Sequence, residues 1–309
     1  MPKNNPIVSV ILTAYKEPLS WFRDALQSIS TQTFKNLEIL VVLDNPEDET
    51  LTDYLEDITL KDSRIRLIKN DVNLGLAGSL NKAIPLTKGK YLCRMDADDI
   101  ARPYRIEKQL EHLERTNYDL IGGQVRIISE NGEPLYTASN IPKTTDNIHS
   151  SLRWNNCIAH PTWFGKREIF LELYRDIPLC EDYDFLLRAA LKGYSLGNVS
   201  DIVLDYRMSS NSISRNNLYE QYLSQCYLAK QYTLGACAER AKLDQFIEAQ
   251  YTDRKAEKYA ESNAFFNSAL QEIATHNYLI ACINIFKALC HSSSYANKIR
   301  RIICAAWHK

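Results

Sequence analysis

Two acidic clusters hold the residues of this 309-residue chain best suited to chemistry. The first, Asp96-Ala97-Asp98-Asp99, follows the apolar run Tyr91–Met95 and precedes a segment that opens as a helix near Arg102-Pro103. Side chains alternate along an extended segment, so Asp96 and Asp98 project to one side and can converge on a hard cation. Asp99 then points away or caps the following helix. Mg2+ or Mn2+ held by one or two carboxylates completes its shell with phosphate oxygens, so this spacing points to a phosphorylated substrate. Acids ahead of a helix also favour its dipole without any ligand. Their position at the C-terminal edge of a parallel strand, where open α/β sheets bind ligands, favours the metal.

The second cluster, Cys180-Glu181-Asp182-Tyr183-Asp184, opens a helix whose apolar face is Phe185, Leu186, Ala189 and Ala190. Acids belong in a first helical turn, and Asp184 has an i, i+4 partner in Arg188. Glu181 and Asp182 have no such partner in the helix, and either of them can be aimed into a cleft as a general base. His160, followed by Pro161, lies in the loop before this helix. It suits the acceptor side of a site, or a hydrogen-bonded loop position.

The elements that must position these residues are legible in the hydrophobic pattern. Ile7–Thr13, Leu37–Leu43, Ile65–Lys69, Tyr91–Met95 and Asp119–Ile128 read as strands separated by segments of helical period. This is α/β with a mainly parallel central sheet flanked by helices. Phe22, Ala25, Leu26 and Ile29 form the i, i+3, i+4, i+7 stripe of the first crossover helix. Asn131-Gly132 marks a hairpin turn. A helix runs from near Glu181 to Gly193, followed by a strand at Ile202–Tyr206. Beyond residue 216 the pattern is helical only, with Leu279, Ile283, Phe286 and Leu289 on the apolar side of one helix and Asn277, Asn284, Lys287 and His291 on another stripe. The chain therefore divides into an α/β domain over residues 1–216 and a helical region over residues 217–309.

Several function classes are excluded. Gly75 is the first glycine, so neither a dinucleotide-binding fingerprint nor a P-loop follows the first strand. A nucleotide on this sheet would be met by side chains at strand ends: Thr13, Tyr15, Glu17, Asp44 and Asn45. The net charge of −1 gives no overall basic field, which argues against nucleic acid. The charge is unevenly spread, because residues 273–309 contain Lys287, Lys298, Arg300, Arg301 and Lys309 and no acid. The eight cysteines show no C-x-x-C or zinc spacing and read as buried, reduced thiols of a cytoplasmic protein. The N-terminal apolar run is too short for a signal peptide, and no stretch approaches the roughly 20 apolar residues of a membrane span.

Taken together, these motifs resemble the inverting family 2 glycosyltransferases with a GT-A fold, particularly bacterial enzymes of O-antigen, capsule or exopolysaccharide assembly. The resemblance rests on Ser9-Val10-Ile11-Leu12-Thr13-Ala14-Tyr15-Lys16-Glu17, Ser28-Ile29-Ser30-Thr31-Gln32-Thr33-Phe34, Asn73-Leu74-Gly75-Leu76-Ala77 with Leu80-Asn81, Arg94-Met95-Asp96-Ala97-Asp98-Asp99-Ile100 and Glu181-Asp182-Tyr183-Asp184. It implies that Thr13, Tyr15, Glu17, Asp44 and Asn73 bind the donor nucleotide, with Asp96 on ribose and metal and Asp98 on Mn2+ or Mg2+. It also implies that Asp182 is the base, with Glu181 beside it. The implied reaction is a metal-assisted single displacement. It moves a hexose or N-acetylhexosamine from UDP or another nucleoside diphosphate to a hydroxyl of a glycan, including glycans carried on undecaprenyl diphosphate.

Two positions depart from the family pattern. Tyr206-Arg207-Met208-Ser209 has serine where the family often has histidine, leaving Arg207 as the expected diphosphate contact. Asp44-Asn45-Pro46-Glu47 keeps only the first acid of a frequent Asp-Asp-x-Ser. A sugar nucleotidyltransferase would need a Gly-rich loop after the first strand, which is missing. A non-catalytic scaffold of a polysaccharide assembly complex would have no need of Asp182. The basic, amphipathic C-terminal helices suit peripheral contact with the anionic inner membrane leaflet, or a lid or dimer contact.

Overall fold

The computed structural model describes residues 6–138, 141–209, 217–274 and 276–307. The β-branched runs form β1 (Val8–Ala14), β2 (Leu37–Leu43), β3 (Ile65–Lys69) and β4 (Tyr91–Asp96). These pair in parallel in the order β3-β2-β1-β4, and every residue of β1 and β2 is buried, as a parallel strand covered on both faces must be. Helices α1 (Leu19–Ser30), α2 (Glu49–Lys61) and α3 (Gly75–Ala83) are the crossovers. The buried residues of α1 are Phe22, Ala25, Leu26 and Ile29, the stripe legible in the sequence. Burial of the three larger ones contributes about 1.5–3 kcal/mol each.

Beyond β4 the strand direction changes. After the acid loop come β5 (Ile100–Ala101), α4 (Arg105–Thr116), β6 (Leu120–Ile128) and β7 (Pro134–Ala138). The chain continues through α5 (Thr145–Leu152), a single helical turn at His160–Thr162, β8 (Phe164–Lys166), α6 (Arg167–Phe170), α7 (Glu181–Leu191) and β9 (Leu196–Arg207). Strand β8 is antiparallel to both β4 and β6, whereas β9 is parallel to β6. Asn131-Gly132 turns the β6–β7 hairpin, with Gly132 at φ 85°. The sheet is therefore mixed: the expected parallel pairing holds for β3-β2-β1-β4 and β6-β9, and the short strands β5, β7 and β8 run against it. Strand β9 starts at Leu196, ahead of the Ile202 read from the pattern. Its register jumps from Val199 to Ile202 opposite Gly123 and Gln124, and this bulge breaks the alternation.

Among the described residues five helices follow: α8 (Leu218–Thr233), α9 (Arg240–Gln250), α10 (Asp253–Ala274), α11 (Tyr278–His291) and α12 (Ser293–Ala306). They do not stand apart from the sheet domain. Tyr227, Leu228 and Ala229 of α8 share a core with Phe185 and Leu186 of α7. Tyr219, Tyr222, Tyr259 and Tyr295 bind α8, α10 and α12 into a second core. The α12 helix returns to α5, where the Ser151 hydroxyl donates to the Ala305 carbonyl at 3.3 Å.

The α10–α11 hairpin inverts the usual arrangement. In α11 the buried residues are Ala281 and Ala288, and the polar stripe lies toward α10: Asn284 donates to the Ser268 hydroxyl, His291 pairs with Glu261, and the Lys287 ammonium lies over the Phe265 ring. The apolar side, Leu279, Ile283 and Phe286, faces outward instead of into a core. Close approach of two helices selects small residues at the seam, which explains the alanines.

All eight cysteines are free thiols. Cys93 and Cys180 are buried as expected; Cys157, Cys226 and Cys304 are half-buried, and Cys237, Cys282 and Cys290 are exposed, a correction that for Cys282 and Cys290 reflects their place on α11 and for Cys237 its place in the turn between α8 and α9. Among the described residues no helix is long and apolar enough to cross a membrane.

Candidate active site

The end of β4 lies beside the end of β1, with Thr13 opposite Asp96, so the acid loop leaves the sheet next to the β1–α1 turn. Asp96, Asp98 and Asp99 each bring a carboxylate oxygen within 4.8 Å of the others. Asp99 neither points away nor caps a helix. It is fully buried, and its Oδ1 accepts the Arg207 amide at 2.9 Å. The cause is β5, which pairs with β9 immediately after the loop and draws Asp99 against Arg207. Asp99 Oδ2 has no hydrogen-bond partner.

Burial, reinforced by crowding of like charges, dominates the electrostatics of the loop. Burial, then Asp96 and Glu17, push the Asp98 carboxyl up to about 7. Burial, then Asp96 and Asp98, hold Asp99 well above the usual range, and Glu17 is raised by burial and by Asp96. Glu17 is fixed by the Tyr15 amide, which donates to its Oε2 at 2.7 Å. Oxygen-only donors that repel one another, one of them orphaned, fit a hard divalent cation such as Mn2+ or Mg2+.

Arg94 opposes this crowd. Fully buried on β4 two residues before Asp96, and so on the same face, it grips both Asp96 oxygens with its guanidinium. Its charge also counts against protonation of Glu181 and Asp182. Arg207, expected at a diphosphate, is instead built into the protein. Its Nε donates to the Asp98 carbonyl at 2.9 Å, a terminal nitrogen donates to the Glu130 carbonyl at 2.7 Å, and the guanidinium lies over Trp21. The residue braces the acid loop from behind.

The second acid cluster sits at the head of α7. Asp184 is buried and paired with Arg188, as expected, and with Arg175. Asp182 Oδ2 accepts the Asn156 side-chain amide at 2.7 Å, and its Oδ1 accepts the Tyr183 amide. Burial, then Asp182, push Glu181 up to about 7; burial also raises Asp182. Asp96 contributes to both shifts, so the two acidic clusters belong to one electrostatic site. His160 is buried behind it, hydrogen-bonded through Nε2 to the Tyr174 hydroxyl at 2.7 Å and packed edge-on against Trp163. Burial and Arg94 hold its pKa well below the usual value, so it is neutral. Asn81 clamps the Tyr174 backbone with two 2.8 Å hydrogen bonds, which ties α3 to the α7 side of the site.

A cleft of about 770 Å³ opens beside the ends of β1 and β2, lined among others by Tyr15, Asn45, Glu47 and Asn73. Asn73 is exposed and its Oδ1 accepts the Gly75 amide at 2.8 Å, where Gly75 at φ 69° makes the turn. Thr13 and Asp44 are buried beneath this region. Asp44 Oδ1 accepts from Asn70 and from the Leu74 amide, fixing the loop that carries Asn73. Arg94, Asn156 and Tyr174 were not singled out from the sequence. Arg94 alone had a signal, its two-residue offset from Asp96.

A mixed α/β sheet with a carboxylate loop at the edge of β4 and a second acid pair at the head of α7 is a GT-A-like fold. Residues 9–174 match Glycosyl transferase family 2, and the chain belongs to that family; it is a glycosyltransferase. It is 33% identical over 227 residues to an uncharacterized glycosyltransferase of Methanocaldococcus jannaschii, covering 71% of this chain and 78% of the relative. It is 26% identical over 254 residues to the O-antigen biosynthesis glycosyltransferase WbnJ of Escherichia coli, covering 81% and 96%. Among solved structures, S. aureus TarS 1-349 in complex with UDP-GlcNAc superposes with a TM-score of 0.58 at 16% identity, over 90% of this chain and 88% of that one, a likeness of fold.

Proposed function

We propose that this glycosyltransferase moves a hexose or N-acetylhexosamine from a nucleoside-diphosphate donor, UDP in the leading reading, to a hydroxyl of a surface glycan with inversion. The observation that carries this reading is a cluster of three converging carboxylates suited to a cation, whose Asp96 also raises Glu181 and Asp182, an acid pair suited to a base. The TarS complex with UDP-GlcNAc and the O-antigen role of WbnJ support the donor and the glycan class.

In this reading Asp96 and Asp98 hold Mn2+ or Mg2+, with Asp99 behind them. A bound cation supplies charge stabilisation to the departing diphosphate. Tyr15 and Asn73 line the nucleoside cleft, with Thr13, Glu17 and Asp44 shaping its floor. Arg94 keeps Asp96 oriented and ionised. Asp182, oriented by Asn156, takes the acceptor hydroxyl proton as that oxygen bonds to the anomeric carbon. The bond from this carbon to the diphosphate oxygen breaks, and the nucleoside diphosphate leaves from the opposite face. Glu181 stands next to the base and His160 supports the wall through Tyr174. The acceptor is proposed to be lipid-linked, on undecaprenyl diphosphate, at the cytoplasmic face of the inner membrane.

Replacing Asp182 by Asn tests the assignment. Donor binding, measured by calorimetry with UDP and Mn2+, is expected to persist, while turnover of donor with a glycan acceptor falls by about 10²–10⁴-fold. Undiminished turnover would remove Asp182 as the base and favour a scaffold role for the cluster.

A further inference from the structure

Resting on the reading of Asp182 as the base, we propose that Asn198 of β9 is a positioning residue that holds the Asn156 loop where Asn156 can orient Asp182. Both oxygens of Asp182 are occupied: Oδ2 accepts the Asn156 side-chain amide at 2.7 Å, and Oδ1 accepts the Tyr183 amide. The Tyr183 contact lies within α7 and needs no other element. The Asn156 contact comes from residues 153–159, between α5 and the helical turn at His160–Thr162, and is only as well placed as that stretch of chain. Asn156 is bound to its own backbone, because its Oδ1 accepts the Ile158 amide at 3.1 Å. The direction of its amide group therefore follows the course of the chain at Cys157 and Ile158. Two buried side chains fix that course. The Trp163 indole donates to the Ile158 carbonyl at 3.1 Å, and Asn198 Nδ2 donates to the Cys157 carbonyl at 3.1 Å and to the Pro142 carbonyl at 2.8 Å. Trp163 lies further along the same stretch, whereas Asn198 reaches it from the sheet.

Asn198 is only 1% exposed and sits directly opposite Gly122 of β6. Both neighbours of its Nδ2 are carbonyls, so its amide has one orientation. That orientation leaves Oδ1 buried with no hydrogen-bond partner among the described residues. A buried acceptor without a donor destabilises a fold, and an aliphatic side chain at this position would carry no such penalty. What an aliphatic side chain could not supply is the pair of donated hydrogen bonds, one of which lands on the residue next to Asn156. Strand β6 is shaped to admit the arrangement. A Cβ on Gly122 would lie 2.6 Å from Asn198 Oδ1 and 2.4 Å from Ile158 Cγ2, so glycine is what lets Asn198 and the loop close on this strand. Support for the base thus passes from Asn198 to the Cys157 carbonyl, from there to Asn156, and from Asn156 to Asp182. Misplacing a reacting group by about 1 Å costs about 10²-fold in rate, so a modest slip of this loop is felt at the base.

The test measures UDP release from UDP-glucose and from UDP-N-acetylglucosamine with Mn2+, water serving as the acceptor that the base activates. The full chain is compared with Asn156→Ala, Asn198→Ala and the double variant. Asn156→Ala is expected to lower kcat about 10–10²-fold and Asn198→Ala about ten-fold, with donor KM and UDP binding unchanged in both. Because Asn198 acts through Asn156, the double variant is expected to fall no further than Asn156→Ala alone. Asn198→Ser keeps one hydroxyl donor for the two carbonyls. It is expected to lose less than Asn198→Ala, and it repeats the cycle if the alanine variant does not fold. Wild-type kcat in Asn156→Ala or Asn198→Ala overturns the proposal even where the thermal midpoint falls, since that is the signature of a purely structural residue. Losses that multiply in the double variant overturn it as well. Asp182→Asn in the same assay separates the proposal from the reading beneath it. Undiminished turnover there removes the base itself, as does failure of the wild type to turn over either donor. A large loss there beside wild-type kcat in Asn198→Ala removes the positioning role alone.

Discussion

Glu181 and Asp182 are neighbours on one helix turn with different burdens. Asp182 is tied by Asn156 and by the Tyr183 amide, whereas Glu181 is pushed up to about 7 by burial and by Asp182. A carboxyl raised in the folded state holds its proton longer there than in the unfolded chain. Its contribution to stability is complete below the ordinary value of 4.5 and is lost as pH rises through about 7. Glu181→Gln is therefore expected to remove about 1–3 kcal/mol of the stability lost between pH 5 and pH 8. Urea unfolding of both proteins at the two pH values checks this, and parallel losses would contradict it. Ionisation of Asp182, which burial raises, is expected to place the acidic limb of activity above the ordinary carboxylate range. At this scale much was legible: the alternation of Asp96 and Asp98 and the ion pair of Asp184 with Arg188 follow from spacing alone. The inward turn of Asp99 was not, because it depends on β9, more than a hundred positions away in the chain. Nor was the burial of Arg207, whose partners come from three separate segments.

Among the elements, β8 joins the two halves of the sheet and is only three residues long. A Cβ on Gly165 would lie 2.6 Å from the Asp119 carbonyl oxygen and 3.1 Å from the Leu120 Cα, both backbone atoms that cannot swing aside. Gly165→Ala is expected to destabilise the fold by about 1–3 kcal/mol, read as a lowered urea midpoint. An unchanged midpoint would mean that β8 has more freedom than its pairing implies. Strands β1, β2, β3 and β6 were found from sequence within a residue at each end, because each carries a full apolar run, whereas the bulge in β9 hid its first six residues. The two- and three-residue strands β5 and β8 carry no period to detect. Their pairing is set by long-range contacts, and with it the change from parallel to mixed sheet.

For the whole molecule, the helices after residue 216 hold the α7 side of the site. Gln221 donates to the Leu179 carbonyl just before Glu181, and Arg175, which grips Asp184, also donates to the Ala238 carbonyl. The all-helical character of this region was legible in its periodicity; its orientation was not. The hydrophobic pattern of α11 identifies an apolar side without saying whether protein or something else covers it. The account as a whole stands on a donor site built by the acid loop at the end of β4. Its most direct test is the thermal midpoint of wild type and Asp98→Asn with UDP, GDP, dTDP or CMP, each with and without Mn2+, since a ligand of the native state raises the midpoint by mass action. The account predicts a rise for wild type with one nucleotide only when Mn2+ is present, and its loss in Asp98→Asn. An equal rise in both proteins, or none with any nucleotide, would contradict it.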